Sequence, residues 1–157
     1  MRKINRHRVI TKVEPKDNLI FHATFADGEV VSFDVRSLFD KHPVFHALED
    51  EKLFNQISID GVGYAVMWND ELDLSSDGIY LKGEHIDKVE PEIRVLVGQA
   101  IADIREEKKM SQRQLSASSG IMQAEICKIE QGKGNPTLST LQKLAKSLGC
   151  TVASFLL

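Results

Sequence analysis

The side chains with the most specific chemistry in this sequence lie between Ser111 and Pro136. Gln123 carries an amide that both donates and accepts hydrogen bonds, a pattern that matches N6 and N7 of adenine in the major groove. Lys128 and Lys133 carry flexible cations, which suit phosphate oxygens better than base edges. The segment therefore has the chemistry of a nucleic-acid contact, provided that its backbone presents these side chains together.

The backbone signals of the same segment predict two short helices joined by a glycine turn. Ser111 and Gln114 form a capping box, which predicts a helix from Gln112 to about Ser119. Gly120 then supplies the left-handed conformation that glycine adopts cheaply. A second helix is predicted from about Gln123 to Glu130. Two short helices joined in this way form a helix-turn-helix, whose second helix enters the DNA major groove.

The outward face of the second predicted helix supplies most of the candidate contacts. Ile126 and Ile129 must pack inward, which leaves Gln123, Ala124, Cys127 and Lys128 facing outward. Each polar candidate could instead be a solvated surface residue, and Cys127 is better explained as a small helix residue than as a thiol switch. The candidate DNA-binding residues are Gln112, Arg113, Gln123, Ala124, Glu125, Cys127, Lys128, Lys133 and Asn135.

Residues 97–157 resemble the lambda-repressor/Cro (XRE-type) DNA-binding domain. The matching stretches are VGQAIADIREEKKMSQRQL, SGIMQAEICKIEQGKGNP and TLSTLQKLAKSLGCTVASFL. The resemblance implies an all-α domain of five helices, with Arg105 and Glu130 as an interior ion pair. It also implies that Gln112 contacts a phosphate or braces Gln123. The expected core comprises Leu115, Ile121, Leu138, Leu141, Leu144 and Leu148.

Two positions depart from the family pattern. Met122 stands at the N-cap of the second helix, where Ser or Thr normally caps the helix and touches phosphate, so about 1 kcal/mol of capping is expected to be lost. Glu125 places a carboxylate near the groove, where it could accept a hydrogen bond from cytosine N4 or be repelled by phosphate.

The first half of the chain alternates apolar and polar residues with period two. Residues 19–25 and 31–35 read as two strands joined by a tight turn at Asp27-Gly28, and 9–13 as an earlier strand. Residues 36–56 read as short helices broken at Pro43, and 57–68 as a second hairpin. The prediction is an α+β domain with an antiparallel sheet and short helices, without the βαβ unit that binds nucleotides.

A second resemblance rests on the Asp-Gly-Glu turn at 27–29, on Phe54 before a strand, and on the stretch WNDELDLSSDGIY at 68–80. Residues 9–81 are similar to a small bacterial family of unknown function, sometimes encoded beside toxin–antitoxin genes and sometimes fused to helix-turn-helix domains. No established biochemical activity comes with this resemblance.

The charge of −3 is unevenly distributed along the 157 residues. Residues 92–157 carry nine Lys and Arg against six Asp and Glu, a balance of +3, which leaves −6 for residues 1–91. A basic half can meet phosphate, whereas an acidic half is repelled by it. The predicted organisation is a small domain over 1–81, a polar linker over 82–91 and the DNA-binding domain over 92–157.

Composition and motifs argue against several other classes of protein. An apolar content of 42% supports packed cores, and no apolar run approaches the roughly 18 residues of a membrane span. The basic start MRKINRHR is not followed by a signal-type apolar stretch. With Cys127 and Cys150 as its two cysteines, the chain suits a reducing cytoplasm rather than a disulfide scaffold.

No enzyme or cofactor chemistry is expected. His42 and His46 have zinc-ligand spacing, but Pro43 intervenes and a third ligand is not evident. The acidic set Asp70, Glu71, Asp73 and Asp77 lacks the glycine and terminal glutamate of a calcium loop, so a solvated loop is expected. We predict no catalytic residue, metal or cofactor.

The leading hypothesis is a sequence-specific transcriptional regulator, a repressor, that binds double-stranded DNA as a homodimer. The acidic N-terminal domain would then serve dimerisation, partner binding or sensing, and the apolar end Phe155-Leu156-Leu157 offers a dimer surface. The alternative is an antitoxin-like module that neutralises a toxin through its N-terminal domain and regulates its own synthesis by binding DNA.

Overall fold

A computed structural model describes residues 8–156. Over this range the chain divides between Pro91 and Glu92 into an N-terminal unit and a C-terminal unit. Most of the basic start MRKINRHR lies outside the described residues, and so does Leu157 in the apolar end proposed as a dimer surface. An antiparallel sheet with short helices therefore precedes a helical domain, as the sequence predicted.

The period-two pattern of the first half forms the main sheet. In the described part of the N-terminal unit its strands are β1 (Ile10–Pro15), β2 (Ile20–Phe25), β3 (Glu29–Asp34) and β7 (Glu84–Lys88), all antiparallel in the order β1-β2-β3-β7. One face of β2 and β3 is buried, because side chains alternate across a strand. Its core residues are Phe21, Ala23, Phe25, Val31 and Phe33.

The turn at Asp27-Gly28 joins β2 to β3 as predicted. Gly28 adopts a φ of +90°, and its N–H donates to the Phe25 carbonyl at 2.9 Å. A side chain here would also collide with the backbone of Val89. Glycine is therefore required both by the turn and by the close passage of the chain after β7.

A second, smaller sheet completes the N-terminal core. Short 3-10 helices at Val35–Leu38 and Pro43–Glu49 precede α1 (Glu51–Phe54). Strands β4 (Ser58–Ile59), β5 (Ala65–Met67) and β6 (Asp73–Ser75) follow, and the predicted hairpin over 57–68 is confirmed as β4 and β5. Trp68 is buried against Phe21, Phe45 and Phe54, and its Nε1 donates to the Phe54 carbonyl at 3.2 Å.

The acidic segment after Trp68 is more ordered than the solvated loop predicted for it. Asp70 and Glu71 are exposed, as expected. Asp73, however, begins β6, and Asp77 lies in α2 (Ser76–Lys82), where it accepts a hydrogen bond from Arg8 at 2.9 Å. Ser75 caps this helix through its hydroxyl.

The prediction of a linker over residues 82–91 is wrong for most of these residues. Lys82 ends α2, and β7 pairs with β3 through an irregular register near Val30 and Val31. All five residues of β7 are exposed, and β7 is one of the two outer strands of the sheet. Because neither face of β7 is buried, its sequence shows no apolar alternation and resembles a linker.

The C-terminal unit is helical. Its described part contains α3 (Ile93–Glu107), α4 (Gln112–Ser119), α5 (Gln123–Glu130), α6 (Leu138–Leu148) and a final 3-10 helix, Val152–Phe155. The fifth predicted helix is thus a single 3-10 segment. Gly98 lets α3 approach α5 closely, because a Cβ at this position would overlap the Ile129 carbonyl oxygen. The core formed by these helices includes Ile101, Leu115, Ile126, Leu144, Leu148 and Phe155.

Leu138 does not belong to this core. Its exposed fraction is 64%, whereas Leu144 and Leu148 are buried and Leu141 is partly buried. Leu138 is the first residue of α6, and helical side chains lean toward the N-terminus. Its side chain therefore extends past the packed part of the helix, although the sequence spacing places it on the core face.

Candidate nucleic-acid interface

The capping box that begins α4 is present. Gln114 N–H donates to Ser111 Oγ at 3.1 Å, and Ser111 N–H donates to Gln114 Oε1 at 2.7 Å. Gly120 ends the helix with a φ of +72° and a ψ of +11°, the left-handed conformation predicted for it. Both boundaries of α4 therefore follow from local sequence, and they fix the angle at which the chain enters α5.

Helix α5 buries one face and exposes the other. Ile126 and Ile129 are 0% and 2% exposed, as predicted from their spacing. The opposite face carries Gln123, Ala124, Glu125 and Lys128, all of which are exposed. Such a helix can lie in a DNA groove while its buried face stays packed against the other helices of the unit.

Cys127 differs from its neighbours because it is only partly exposed. Its Sγ accepts a hydrogen bond from Gln131 Nε2 at 3.3 Å, one helical turn further along. The thiol is therefore engaged by a side chain from the C-terminal end of α5.

The start of α5 lacks the usual cap. Met122 is 71% exposed, and its side chain makes no capping hydrogen bond to any described residue. The departure from the family pattern noted in the sequence is therefore also present in the structure. The N–H groups of the first turn of α5 must find acceptors other than the side chain of residue 122.

The remaining candidate residues lie beside the ends of the two helices. Arg113 is exposed in the first turn of α4. Lys133 and Asn135 are exposed in the loop after α5, where the N–H groups of Lys133 and Gly134 both donate to the Lys128 carbonyl at 2.9 Å. These bonds close the end of α5 and hold the loop with its polar side chains outward.

Arg105 and Glu130 form the expected interior ion pair. Arg105 Nε and Nη2 donate to the two carboxylate oxygens of Glu130 at 2.7 and 3.0 Å, and Nη1 donates to the Met110 carbonyl at 2.8 Å. The two side chains are only 10% and 7% exposed. Hydrogen bonding to Glu130 raises the pKa of Arg105, and the paired side chains join α3 to the end of α5.

The side chain of Gln112 makes a contact that the family resemblance did not imply. Its Nε2 donates to Glu130 Oε2 at 2.9 Å, so in this structure it braces Glu130 and not Gln123. Glu130 thus accepts from helix α3 through Arg105 and from helix α4 through Gln112. Local sequence carries no signal for this contact, because it depends on how closely the end of α5 approaches the start of α4.

Other classes of site find no support in the described part of the chain. Across residues 8–156, no group of three or more His, Cys, Asp or Glu side chains is arranged to hold a metal ion. His46 pairs instead with Glu49 at 3.3 Å and lies against the ring of Phe39. Among the described helices, none has the length and apolar character needed to cross a membrane.

Comparison with known families separates the two units in the same way. A family model described as "Helix-turn-helix" matches residues 101–155. A second model, "Protein of unknown function (DUF2442)", matches residues 10–85. The second match ends at residue 85, so it reaches the start of β7.

The similar curated proteins are regulators. An uncharacterized HTH-type transcriptional regulator, y4dJ of Sinorhizobium fredii, is 41% identical over 58 residues, which are 37% of this chain and 75% of that protein. PuuR, an HTH-type transcriptional regulator of Escherichia coli, is 40% identical over 58 residues but is matched over only 31% of its length. The immunity repressor protein of Bacillus phage phi105 is 40% identical over 58 residues and is matched over 40% of its length. On the strength of the y4dJ match and the geometry of α4 and α5, the chain belongs to the helix-turn-helix family of DNA-binding transcriptional regulators.

Proposed function

We propose that this regulator binds its operator through the exposed face of α5, and that it acts as a repressor. The observation that carries the proposal is the division of α5 into a buried apolar face and a polar face that is free of the core. The phage repressor relative supports repression as the outcome of binding. Nothing in this mechanism calls for an enzymatic step.

Gln123 is the proposed base reader. It is the first residue of α5 and is exposed, so its amide can meet a base edge in the groove. Ala124 beside it is small enough to contact a thymine methyl group. Glu125 follows in the same turn, where its carboxylate can accept from cytosine N4 and disfavour bases that present only acceptors there.

Backbone contacts are assigned to the cations at the helix ends. Arg113, Lys128 and Lys133 are exposed, and a cation on a flexible stem suits a phosphate oxygen. Asn135 can donate from its amide to the same strand. Cys127 contributes little to this face because it is half-buried and already bonded to Gln131.

Gln112 is proposed as a positioning residue. Its amide donates to Glu130, so its proposed contribution to binding is to hold α5 against α4.

The chain is proposed to bind as a homodimer. A single helix-turn-helix buries too little surface for tight specific binding, and two-fold dimers read half-sites about 34 Å apart. The acidic N-terminal unit, with its balance of −6 over residues 1–91, is repelled by DNA and is assigned to dimerisation, partner binding or sensing.

Fluorescence anisotropy with the full chain tests the proposal. The probe is a labelled fragment of the DNA upstream of its own gene, with an unrelated fragment of equal length as the control. We expect tighter binding to the upstream fragment and a log–log salt slope of about −0.9 per phosphate neutralised. Equal affinity for both fragments, or affinity that does not change with salt, would contradict it.

The antitoxin alternative has no specific observation in its favour. The same experiment addresses it when the product of a neighbouring gene is added to the complex. Binding of that product to the N-terminal unit, together with loss of its toxicity, would replace the simple repressor assignment.

A further inference from the structure

We infer that His85 is a proton-operated clasp, which in its doubly protonated form fastens the edge strand β7 to both α2 and β3. This inference concerns the N-terminal unit and does not depend on how the C-terminal unit reads DNA. Strand β7 leads through residues 89–92 into α3, so the clasp lies on the strand that precedes the DNA-binding unit.

Both ring nitrogens of His85 meet groups that accept hydrogen bonds. Nδ1 is 2.9 Å from Glu29 Oε2, and Nε2 is 2.9 Å from the carbonyl oxygen of Tyr80. A carbonyl oxygen has no proton to donate, so Nε2 must be the donor in its contact. The protonation state of the ring then depends on whether Nδ1 or Glu29 is the donor in the other contact.

Glu29 is an acceptor because it is held as a carboxylate. Its other oxygen, Oε1, is 2.9 Å from the ammonium of Lys88. Hydrogen bonds from His85 and Lys88 lower the pKa of Glu29, so it stays ionised near neutral pH. Nδ1 must therefore donate as well, and an imidazole that donates from both nitrogens is the cationic imidazolium.

The end of α2 favours the same cation. The Tyr80 carbonyl lies in the last turn of α2, where carbonyl groups lack partners within the helix and carry partial negative charge. The chain turns into β7 at Gly83, and His85 Nε2 supplies the missing donor. The rings of Tyr80 and His85 also pack edge to face, with centroids 4.8 Å apart.

The other charges around His85 add to this preference. Glu29 and then the Tyr80 carbonyl are the main causes of a raised pKa at His85, and Asp27 contributes through its negative charge. Tyr80 donates its hydroxyl to Asp27 at 2.9 Å, and the guanidinium of Arg8 lies 5.1 Å from the centre of its ring. The titratable and charged groups that surround the clasp are Glu29 on β3, Tyr80 on α2, Asp27 in the β2–β3 turn, Lys88 on β7 and Arg8 before β1.

Loss of the proton opens the clasp. A neutral ring can donate from only one nitrogen, so the other presents a lone pair to an acceptor 2.9 Å away. Because the pKa of His85 is raised in the folded state, its contribution to stability is complete below the unfolded value of about 6.5 and is lost as pH rises through the folded value. At the acid end, the clasp persists until Glu29, whose pKa is lowered, takes up a proton.

Hydrogen exchange of the full chain, followed by NMR, tests the clasp. The protection of the β7 amides, corrected for intrinsic exchange, is expressed relative to that of the β2 amides. This relative protection is measured at about pH 6 and about pH 9. We expect the relative protection of β7 to fall at least about tenfold, as for loss of one charge-assisted hydrogen bond. Tyr80 does not titrate in this range, since its pKa is raised to about 12.

Two variants make the result specific. In His85→Gln the relative protection of β7 should no longer depend on pH, whereas His22→Gln, which removes an imidazole from β2, should keep the wild-type dependence. If the relative protection of β7 falls with pH as much in His85→Gln as in the wild type, the inference is overturned. A relative protection that does not change with pH in the wild type would overturn it as well.

A spectroscopic measurement does not depend on those variants folding. Two-bond correlation spectra of the ring at about pH 6 should show both nitrogens of His85 protonated in the wild-type chain. In Glu29→Gln the pH at which the ring loses its proton should move down. A bare ring nitrogen in the wild type at this pH, or an unmoved midpoint in Glu29→Gln, would show that the clasp does not exist.

Discussion

At the scale of single residues, Gln123 is expected to carry base preference and Lys128 to carry affinity. Replacing Gln123 with Ala should abolish preference at one base pair of each half-site, at a cost of about 1–3 kcal/mol for the preferred base. Replacing Lys128 with Ala should weaken binding to all sequences about equally. Selection of bound sites from random DNA measures both. An unchanged motif in Gln123→Ala would show that another residue of α5 reads the base.

Gln112 gives a second prediction, because a positioning residue and a phosphate contact respond differently to salt. In Gln112→Ala the hydrogen bond to Glu130 is lost, so affinity should fall while the salt slope stays the same. Arg113→Ala, one position later and exposed, is the matched control and should reduce the slope by about one. A reduced slope in Gln112→Ala would restore the phosphate role that the family resemblance implied.

Residue roles could be predicted from the sequence where a local rule or a family resemblance fixes them. The inward positions of Ile126 and Ile129 follow from helix spacing, and the pairing of Arg105 with Glu130 follows from family resemblance. The contact of Gln112 could not be predicted, because it joins the first residue of one helix to the last of another. Leu138 was placed wrongly because spacing ignores how a helix begins.

At the scale of elements, the missing cap of α5 can be repaired. Met122 is largely exposed, so replacing it with Ser loses little buried surface and supplies a hydroxyl that can accept from an N–H of the first turn. We expect Met122→Ser to stabilise the C-terminal unit by about 1 kcal/mol. Helix unfolding followed by circular dichroism measures this, with Met122→Ala as the control that removes the methionine without adding a cap. Equal melting of the two variants would show that capping is already satisfied.

The ion pair that ties α3 to α5 is expected to determine whether the C-terminal unit folds. Arg105→Ala leaves Glu130, 7% exposed, without its charged partner. The cost is about 3–5 kcal/mol for a fully buried charge, which rivals the stability of a small unit at about 0.05–0.15 kcal/mol per residue. In the double variant Arg105→Met/Glu130→Leu, much of the lost stability should be recovered, because an apolar pair can replace a buried ion pair.

Far-UV circular dichroism follows this unit, because α3 to α6 are the long described helices. The single tryptophan, Trp68, lies in the N-terminal core, so its fluorescence serves as an internal control that should not change. A melting curve of Arg105→Ala that matches the wild type would contradict a stabilising role for the pair.

Elements with a local signal were predicted closely, and those held only by neighbours were not. The bounds of α4 follow from Ser111 and Gly120, and the first hairpin follows from Asp27-Gly28. Strand β7 has five exposed residues and gains its conformation from pairing with β3. Helix α2 is short and begins in an acidic segment, so neither its length nor its composition distinguishes it from a loop.

At the scale of the whole molecule, the two units carry net charges of opposite sign. Residues 92–157 carry a balance of +3, which favours approach to phosphate, whereas residues 1–91 carry −6. Similar basic units attached to different partners can therefore bind DNA by the same means while responding to different signals.

The homodimer is the last prediction, and it follows from how little surface one recognition helix can bury. A single unit contacts one half-site, so specific binding at physiological salt requires two chains on one operator. Sedimentation of the full chain with its operator should give two chains per duplex, and a duplex carrying only one half-site should bind far more weakly. Inserting five base pairs between the half-sites rotates one of them by about half a helical turn and should abolish tight binding. Tight binding of one chain to a single half-site would show that each chain acts alone.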